Sequence, residues 1–541
     1  MMSERVTLPS IRRRTLLGAA GAAVAAGGVV DVRQAHANPI RSDPFGLGVA
    51  SGDPLSDRVI LWTRLLRDPA DGARLTDRAV QVGWQIATDE RFRHVVRAGS
   101  ATARANLAHS IHVDAAGLRP GRDYFYRFRT GRFISPVGHT RTAPAPHSAA
   151  ARLRFAVANC QDWQNGYFGA YRDIAASDLD LVLHVGDYIY EYDPQQNAVR
   201  QHNASSGTAA GADQLITLAD YRNRHALYKS DPALQAAHAA LPFISTWDDH
   251  ETENNYAGLI DEQDAPPWHQ TPEQFKLQRA AAYQAWYEHT PVRATNRGGW
   301  SDLRIYRRFD FGTLLRLNVL DTRQYRTDQP GGGLPTGGLP SDFGPQALGD
   351  TNVTGTLTGP VQEKWLLDGL RTSHTRWNVL GQQVMMAPTR FIAPPPASVV
   401  NLDQWDGYTP QRRRLLAAIA ASKAANPVVI AGDIHSTWIN DLRLTVDDPS
   451  APVVASEFVS TSITSDFPAA FVPIAEQSNA AFNPWVRYFN GRTHGWLRMD
   501  VDRTRWLTEE RSVSSVAVPD APSSTTARWA VEAGKPGVVP A

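Results

Sequence analysis

Residues 153–192, LRFAVANCQDWQNGYFGAYRDIAASDLDLVLHVGDYIYEY, hold two apolar runs, 153–158 and 181–185, on either side of an amphipathic stretch at 166–177. Short apolar runs of this kind read as buried strands and the stretch between them as a helix, so the segment is a β-α-β unit. Such units build parallel sheets, which carry their sites at the carboxyl ends of the strands. Both strands end in residues suited to ligand binding or acid-base work: Asn159, Cys160 and Gln161 after the first, Asp187 and Tyr190 after the second. Two more apolar runs end the same way. Residues 242–247 lead into Asp248-Asp249-His250-Glu251, and 427–431 into Gly432-Asp433-Ile434-His435. Four strand ends of this type predict one shared metal site.

The 541 residues exceed one ordinary core and divide into two or three units. With 42% hydrophobic residues and 15 Trp, the chain can bury a large interior. Charge excludes two classes of partner. Without residues 1–37, which hold five Arg and two acids, the totals of 55 basic and 54 acidic residues fall to 50 and 52. That balance leaves no electrostatic footprint for nucleic acid or an anionic membrane. Residues 1–37 have the pattern of an export signal. Arg12-Arg13-Arg14 opens a twin-arginine motif, an Ala/Gly-rich apolar stretch follows at 16–30, and Ala35-His36-Ala37 fits a cleavage site. The apolar stretch, about 15 residues, is shorter than the roughly 20 that a spanning helix needs. Nothing after it reads as a transmembrane helix. The expectation is a folded, metal-loaded protein exported by the twin-arginine machinery to the periplasm, the cell envelope or the outside. Cys160 is the only cysteine. No intrachain disulfide is possible, although an exported chain enters a compartment that permits one.

Residues 44–145 predict a small all-β domain. Runs at 58–65, 80–87, 109–113 and 123–129 alternate apolar and polar positions, with Arg119-Pro120-Gly121 as a turn. The segment 118–126, LRPGRDYFY, resembles a fibronectin type III strand entry with its corner tyrosine, which implies a β-sandwich. The Gly-rich 46–54, GLGVASGDP, opens no helix and reads as a turn rather than a phosphate cradle. A linker at 143–151 leads into a second domain at 152–515. Helices are expected there near 213–229, 270–287, 360–372 and 410–425, and strands at 303–309, 314–320, 377–380 and 453–459. The Gly/Pro-rich 328–358 reads as an excursion beside the site and 195–212 as a polar insertion. Residues 518–541 show no pattern and stay unassigned.

Asp187 and Tyr190 stand at D-x-x-Y after a buried strand. A carboxylate and a phenolate from one loop suit a hard trivalent ion, because only a strong Lewis acid lowers the Tyr pKa far enough for it to bind. Asp187 is also placed to reach two metals. Cys160 adds a thiolate from the neighbouring strand end, Asp249 a carboxylate, and His250 a hydrogen bond to substrate or leaving group. Asp433 and His435, two apart, can serve adjacent metals. Each has an ordinary alternative: a loop hydrogen bond for Asp187 and Tyr190, a buried inert thiol for Cys160, a surface charge cluster for Asp249 and His250, a core histidine for His435.

In order and spacing, FAVANCQDW, HVGDYIYEY, TWDDHETENN and VVIAGDIHS together resemble the PhoD-type alkaline phosphatases of the calcineurin-like metallophosphoesterases. The resemblance implies an α/β metallophosphoesterase-type sandwich, with β-α-β units in mixed sheets flanked by helices, behind an N-terminal all-β, fibronectin III-like domain. It implies Asp187 as a bridging carboxylate, Tyr190 as a phenolate ligand, and Cys160 and His435 as the other protein ligands of a ferric ion. Asp249 takes the place of the Asn in the superfamily's G-N-H-[DE] motif, and Asp433 that of a His. Carboxylates there harden the second site toward Ca²⁺, and the family's cofactor is Fe³⁺ with one or two Ca²⁺. Asn159 stands where the superfamily's first D-x-H would lie, so that motif is absent. Asn254 is a further Ca²⁺ or substrate contact. The implied activity is hydrolysis of phosphomonoesters or phosphodiesters by a metal-activated hydroxide, with His250 acting on the leaving group. Arg172, on the helix after Cys160, is a candidate phosphate contact. Three rivals stand beside this reading: a phospholipase D-like phosphodiesterase in the same fold, a glycoside hydrolase using Asp249 and Glu251 as acid and base, and a non-catalytic protein that adheres through its β-domain.

Overall fold

A computed structural model describes residues 40–541 apart from 41, 68–74, 76, 203–214, 262–269, 295, 297, 332–341, 396 and 449. The export signal expected at 1–37 lies outside the described residues, as does part of the 195–212 insertion and of the 328–358 excursion.

Two large sheets face each other. The first runs Lys535–Pro540, Ser523–Glu532, Arg505–Val513, His494–Asp502, Arg152–Ala158, Leu181–His184, Pro242–Ser245, Val49–Gly52, Arg58–Arg64, Ser110–Ala116. The second runs Arg307–Phe311, Leu315–Val319, Trp377–Gly381, Pro427–Ala431, Val453–Val459, Thr437–Arg443, Val486–Asn490. Central strands pair parallel in both, and flanking strands pair antiparallel. The central strands are covered on both faces, which is why they read as unbroken apolar runs. Between the sheets Val157, Leu183 and Ile244 meet Val379, Ile430 and Phe458. On the outside, Ala156, Val182 and Phe243 pack against Ile174, Leu234 and Trp286 of one helical layer. Leu380 and Val429 pack against Leu366, Leu370 and Leu415 of another.

The helices expected from periodicity form, with ends set by capping. Pro272–His289 starts at Thr271, whose side chain and that of Gln274 close a capping box, with Pro272 in the first turn. Gly359–Arg371 and Thr409–Ser422 lie where expected. Of the helix expected near 213–229, Leu218–Lys229 forms, its start set by a capping box between Thr217 and Asp220, while 213 and 214 lie outside the described residues. A further helix, Pro232–Ala240, is capped by Asp231 and has no counterpart among the expected elements.

The N-terminal strands divide between two sheets. Val49–Gly52, Arg58–Arg64 and Ser110–Ala116 extend the first large sheet, with Val49–Gly52 parallel to Pro242–Ser245. The strands Val80–Ala87, Val95–Ala103, Asp123–Thr130, Phe133–Ile134 and Gly138–Arg141 form a five-stranded sheet over that extension. The core between them holds Val59, Leu61, Ile111, Val82 and Phe128. Tyr124 Oη accepts the Arg119 N–H at 2.8 Å, at the corner where the strand Asp123–Thr130 begins. The stretch 46–54, expected as a turn, supplies the strand Val49–Gly52. A Cβ on Gly52 would lie 2.2 Å from the Pro291 carbonyl oxygen, so only glycine fits. The patternless 518–541 also supplies two strands, Ser523–Glu532 and Lys535–Pro540. Burial alternates along SSTTARWAVE, but Ser, Thr and Ala hide the period.

Lys229 joins the N-terminal strands to the helical layer. It is 2% exposed, and its ammonium lies 4.3 Å from the ring centre of Trp62 on Arg58–Arg64. Burial pushes it from 10.5 down to about 7. Burial also holds His184, His225, His238 and His289 around it below the ordinary histidine range. The folded protein therefore releases this proton before the unfolded chain does. The charge costs stability in full below pH 7, and the cost disappears as pH rises from 7 to 10.5. Lys229→Met is expected to stabilise the protein by about 2–3 kcal/mol at pH 6, after loss of the cation–π contact, and by nearly nothing at pH 10.5. Chemical unfolding at both pH values checks this. An equal gap at the two would refute it.

Candidate metal centre

The central strands point their carboxyl ends at one edge of the sheet pair, and the chain leaves them by sharp turns. Cys160, Asp187, Asp433 and His435 have φ angles of 53°, 55°, 68° and 54°. Non-glycine residues seldom adopt this left-handed region. At about 1–3 kcal/mol each, such conformations persist where the surroundings impose them, and they collect at functional sites. Gly186, at φ 125°, allows two of the turns to touch, since a Cβ there would sit 2.4 Å from Asp248 Cβ.

The turns bring ligand atoms together in three overlapping clusters, each within 4.8 Å: Cys160, Asp187 and His435; Asp187, Asp249 and His250; Asp248, Asp249 and Asp433. Tyr190 joins the first. Its Oη donates to Asp187 Oδ2 at 3.0 Å and lies 3.0 Å from His435 Nε2. Cys160, Asp187, Tyr190, Asp249, Asp433 and His435 thus converge, with Asp187 and Asp249 each shared by two clusters. Asp187 Oδ1 is buried and has no hydrogen-bond partner in the protein. A buried carboxylate oxygen without a donor is costly unless a cation or water completes it.

Burial, followed by the nearby acids, pushes the Asp187 carboxyl, the Tyr190 phenol and the Cys160 thiol well above their ordinary values. A cation among them reverses each shift. Burial holds His435 down at about 4, so its ring is neutral. Its Nδ1 lies 3.0 Å from the Asp466 carbonyl oxygen and donates there, which leaves the Nε2 lone pair for a metal.

His250 stacks on the Tyr190 ring with centroids 4.1 Å apart, and its Nδ1 lies 2.8 Å from Glu191 Oε2. Burial works against its charge, but Glu191, Asp187 and Asp249 outweigh it and hold the imidazolium well above the ordinary range. Glu251 accepts the backbone N–H groups of Asp187, Tyr188 and Asp248 at 3.1, 2.7 and 2.8 Å. One carboxylate therefore ties together the turns that carry Asp187 and Asp248. Asn254 gives its backbone N–H to Glu191 Oε1 at 2.8 Å, and it is the N–H of the next residue, Asn255, that reaches Asp249 Oδ2 at 2.7 Å.

Arg323 has no counterpart among the residues the sequence singles out. Fully buried, it sits 2.5 Å from Asp248 Oδ1, 2.8 Å from Asp403 Oδ1, 2.8 Å from Asp433 Oδ1 and 3.5 Å from Asp249 Oδ2. Asp433 also accepts from Gln404 Nε2 at 2.5 Å. The available signal was Asp321-Thr322-Arg323 just past the strand Leu315–Val319, a fifth strand end of the same type. Arg172, expected on phosphate, is not brought to the centre. Its guanidinium donates to the carbonyls of Pro519 and Ala521 at 2.7 and 2.6 Å and to Asp520 Oδ1 at 2.8 Å. The helix Gly169–Ala176 buries Tyr171 and Ile174, which turns Arg172 outward to the C-terminal loop.

Residues 155–509 match the profile of the PhoD-like phosphatases, and 31–144 match that of the PhoD-like phosphatase N-terminal domain. The chain is 44% identical over 499 residues to alkaline phosphatase D of Bacillus subtilis (strain 168), a match covering 92% of this chain and 82% of that protein. A solved structure described as "Structure of PhoD" superposes with a TM-score of 0.84 at 42% identity, over 93% of this chain and 92% of the other.

Proposed function

The chain belongs to the PhoD-like phosphatase family, as a phosphoric ester hydrolase, and from that premise we propose how its strand ends do the work. Cys160, Asp187, Tyr190 and His435 would hold Fe³⁺, and Asp187, Asp249 and Asp433 one or two Ca²⁺. The observation that carries this reading is Asp187. One of its oxygens takes the Tyr190 hydroxyl, and the other lies buried without a partner where two clusters overlap. Thiolate, phenolate, carboxylate and imidazole together suit a hard, strongly acidic ion, and a purely carboxylate set suits Ca²⁺.

When bound, such ions lower the pKa of water and neutralise phosphate oxygens. The chain's own residues position and protonate. Glu251 fixes the spacing of the Asp187 and Asp248 turns, and Arg323 steers Asp433 and Asp248 by direct ion pairs. Glu191 occupies His250 Nδ1, which leaves Nε2 as the proton donor to the departing alcohol. Twin-arginine export on Arg12-Arg13-Arg14, to the periplasm, envelope or outside, is part of the same reading. Among the described residues no helix is long and apolar enough to cross a membrane. So are the units 44–145 and 152–515, and the Tyr124–Arg119 hydrogen bond supports a fibronectin III-like reading of the first.

The test is hydrolysis of an aryl monoester and an aryl diester by the exported protein, with metal analysis of the same sample. About one iron per chain and Ca²⁺-dependent activity lost to a chelator are expected. Full activity without metal would sink the reading. His250→Asn is expected to lower kcat about 10²–10³-fold on an alkyl monoester and much less on p-nitrophenyl phosphate, whose leaving group needs no proton. Equal losses on the two esters would remove His250 from the proton-donor role.

A further inference from the structure

We infer that an aromatic rim beside the metal centre is a subsite for the alcohol portion of the ester, selecting alcohols that carry an apolar alkyl or aryl group. This rests on the phosphatase reading of the centre. Four phenyl rings run in contact along that rim. Phe467 and Phe471 have ring centres 6.0 Å apart, Phe471 and Phe391 5.0 Å, Phe471 and Phe343 5.4 Å, and Phe343 and Phe391 5.5 Å. They come from three segments far apart in sequence: the strand Phe343–Pro345 in the middle of the Gly/Pro-rich excursion, the loop after Trp377–Gly381, and the stretch after Val453–Val459 that ends in the short helix Ala469–Phe471.

Both ends of the string are fastened to the centre. At one end the Asp466 carbonyl holds His435 Nδ1, so Phe467 is one residue from that contact. At the other, Asn255 Nδ2 donates to Asp342 Oδ1 at 2.9 Å while the Asn255 N–H donates to Asp249 Oδ2. Phe343 therefore adjoins the contact behind Asp249. The segments that carry Phe467 and Phe343 are thereby tied to the centre at its His435 side and its Asp249 side.

Phe391 is buried, and Phe343 and Phe471 rest on the same hydrophobic core, but two features set the string apart from ordinary core. Phe343, Phe467 and Phe471 are only half-buried, and connected exposed apolar surface beside a polar site marks a place of binding. Next to Phe391 stands Ile392, 58% exposed and at φ 73°. A β-branched side chain in the left-handed region is a backbone outlier, and exposing isoleucine to water does nothing for folding. Strain without folding benefit is characteristic of ligand clamps. In the proposed reading the residues of the centre answer to the phosphate, through the ions they would hold and through His250, and leave the rest of the ester unread. The rim supplies the missing apolar surface.

The experiment uses the metal-loaded full chain and n-alkyl monophosphates from ethyl to hexyl, whose alcohols leave with nearly equal acidity. A buried methylene is worth roughly fourfold in affinity. kcat/KM is expected to rise about tenfold or more from ethyl to hexyl, carried by KM. Phe467→Ser and, separately, Ile392→Gly should flatten the series to within about threefold, with hexyl phosphate falling towards ethyl phosphate. Ile392→Gly also relieves the positive φ, so its Tm should equal or exceed that of the parent, which separates lost selectivity from lost fold. A flat series in the parent, or a slope that survives both substitutions, overturns the subsite and leaves the phosphatase reading standing. Failure to hydrolyse any member, ethyl phosphate included, overturns both.

Discussion

Asp187→Asn is expected to lower kcat/KM on phosphate esters by at least about 10³-fold and to remove iron and calcium together. The carboxylate belongs to two of the three ligand clusters, and its Oδ1 has no donor from the protein. The amide keeps the shape and one oxygen but loses the charge that both ions share. Cys160→Ala should behave differently. It removes a donor from the first cluster alone and leaves Asp187, Asp249 and Asp433 in place, so iron falls while calcium binding persists. Misfolding is a poor explanation for the Asp187 result. Burial pushes this carboxyl well above its ordinary range, so in a chelator the neutral amide should be at least as stable as the parent. Metal content and kcat/KM on one preparation check the pair of substitutions. Calcium at the parent's stoichiometry in Asp187→Asn, with activity within tenfold, would show that Asp187 does not bridge.

The turns that carry the candidate ligands were legible because a parallel strand covered on both faces leaves a plain mark, an apolar run cut off by polar residues. Cys160, Asp187, Asp249, Asp433 and His435 all follow such a run. Arg323 follows one too, past Leu315–Val319, but a cation does not fit a search for metal donors. Only the folded chain shows it among four acids. Glu251 acts on backbone N–H groups more than sixty residues away and Glu191 on His250, so neither leaves a local pattern. Arg172 illustrates the opposite error. It is near Cys160 in sequence, yet one helical turn aims it at the C-terminal loop. The continuity of the N-terminal strands with the large sheet was equally hidden, because Val49–Gly52 pairs with Pro242–Ser245 across nearly two hundred residues. Local periodicity identifies strands and says nothing about such pairing.

Arg323→Met should be among the most destabilising single substitutions in the chain when metal is withheld, at about 3–5 kcal/mol. The guanidinium is fully buried and faces Asp248, Asp249, Asp403 and Asp433. Methionine fills much of the stem's volume, so the loss is chiefly that of the one cation holding these acids together. Asp403 keeps Arg326 at 2.8 Å and Asp249 keeps the His250 imidazolium beside it, which leaves Asp248 and Asp433 as the least compensated, two of the three acids that form the all-carboxylate cluster. Calcium supplied to that cluster should therefore stabilise the variant more than the parent, where Arg323 already neutralises the acids. Mass action gives about 2.7 kcal/mol at a hundredfold excess over Kd, enough to return a large part of the loss. Chemical unfolding of both proteins in chelator and in excess Ca²⁺ measures the difference. Equal Ca²⁺ increments in the two would mean that Arg323 and calcium do not answer to the same carboxylates. A larger increment in the variant would mean that the guanidinium and the ion share one charge-balancing role at the centre.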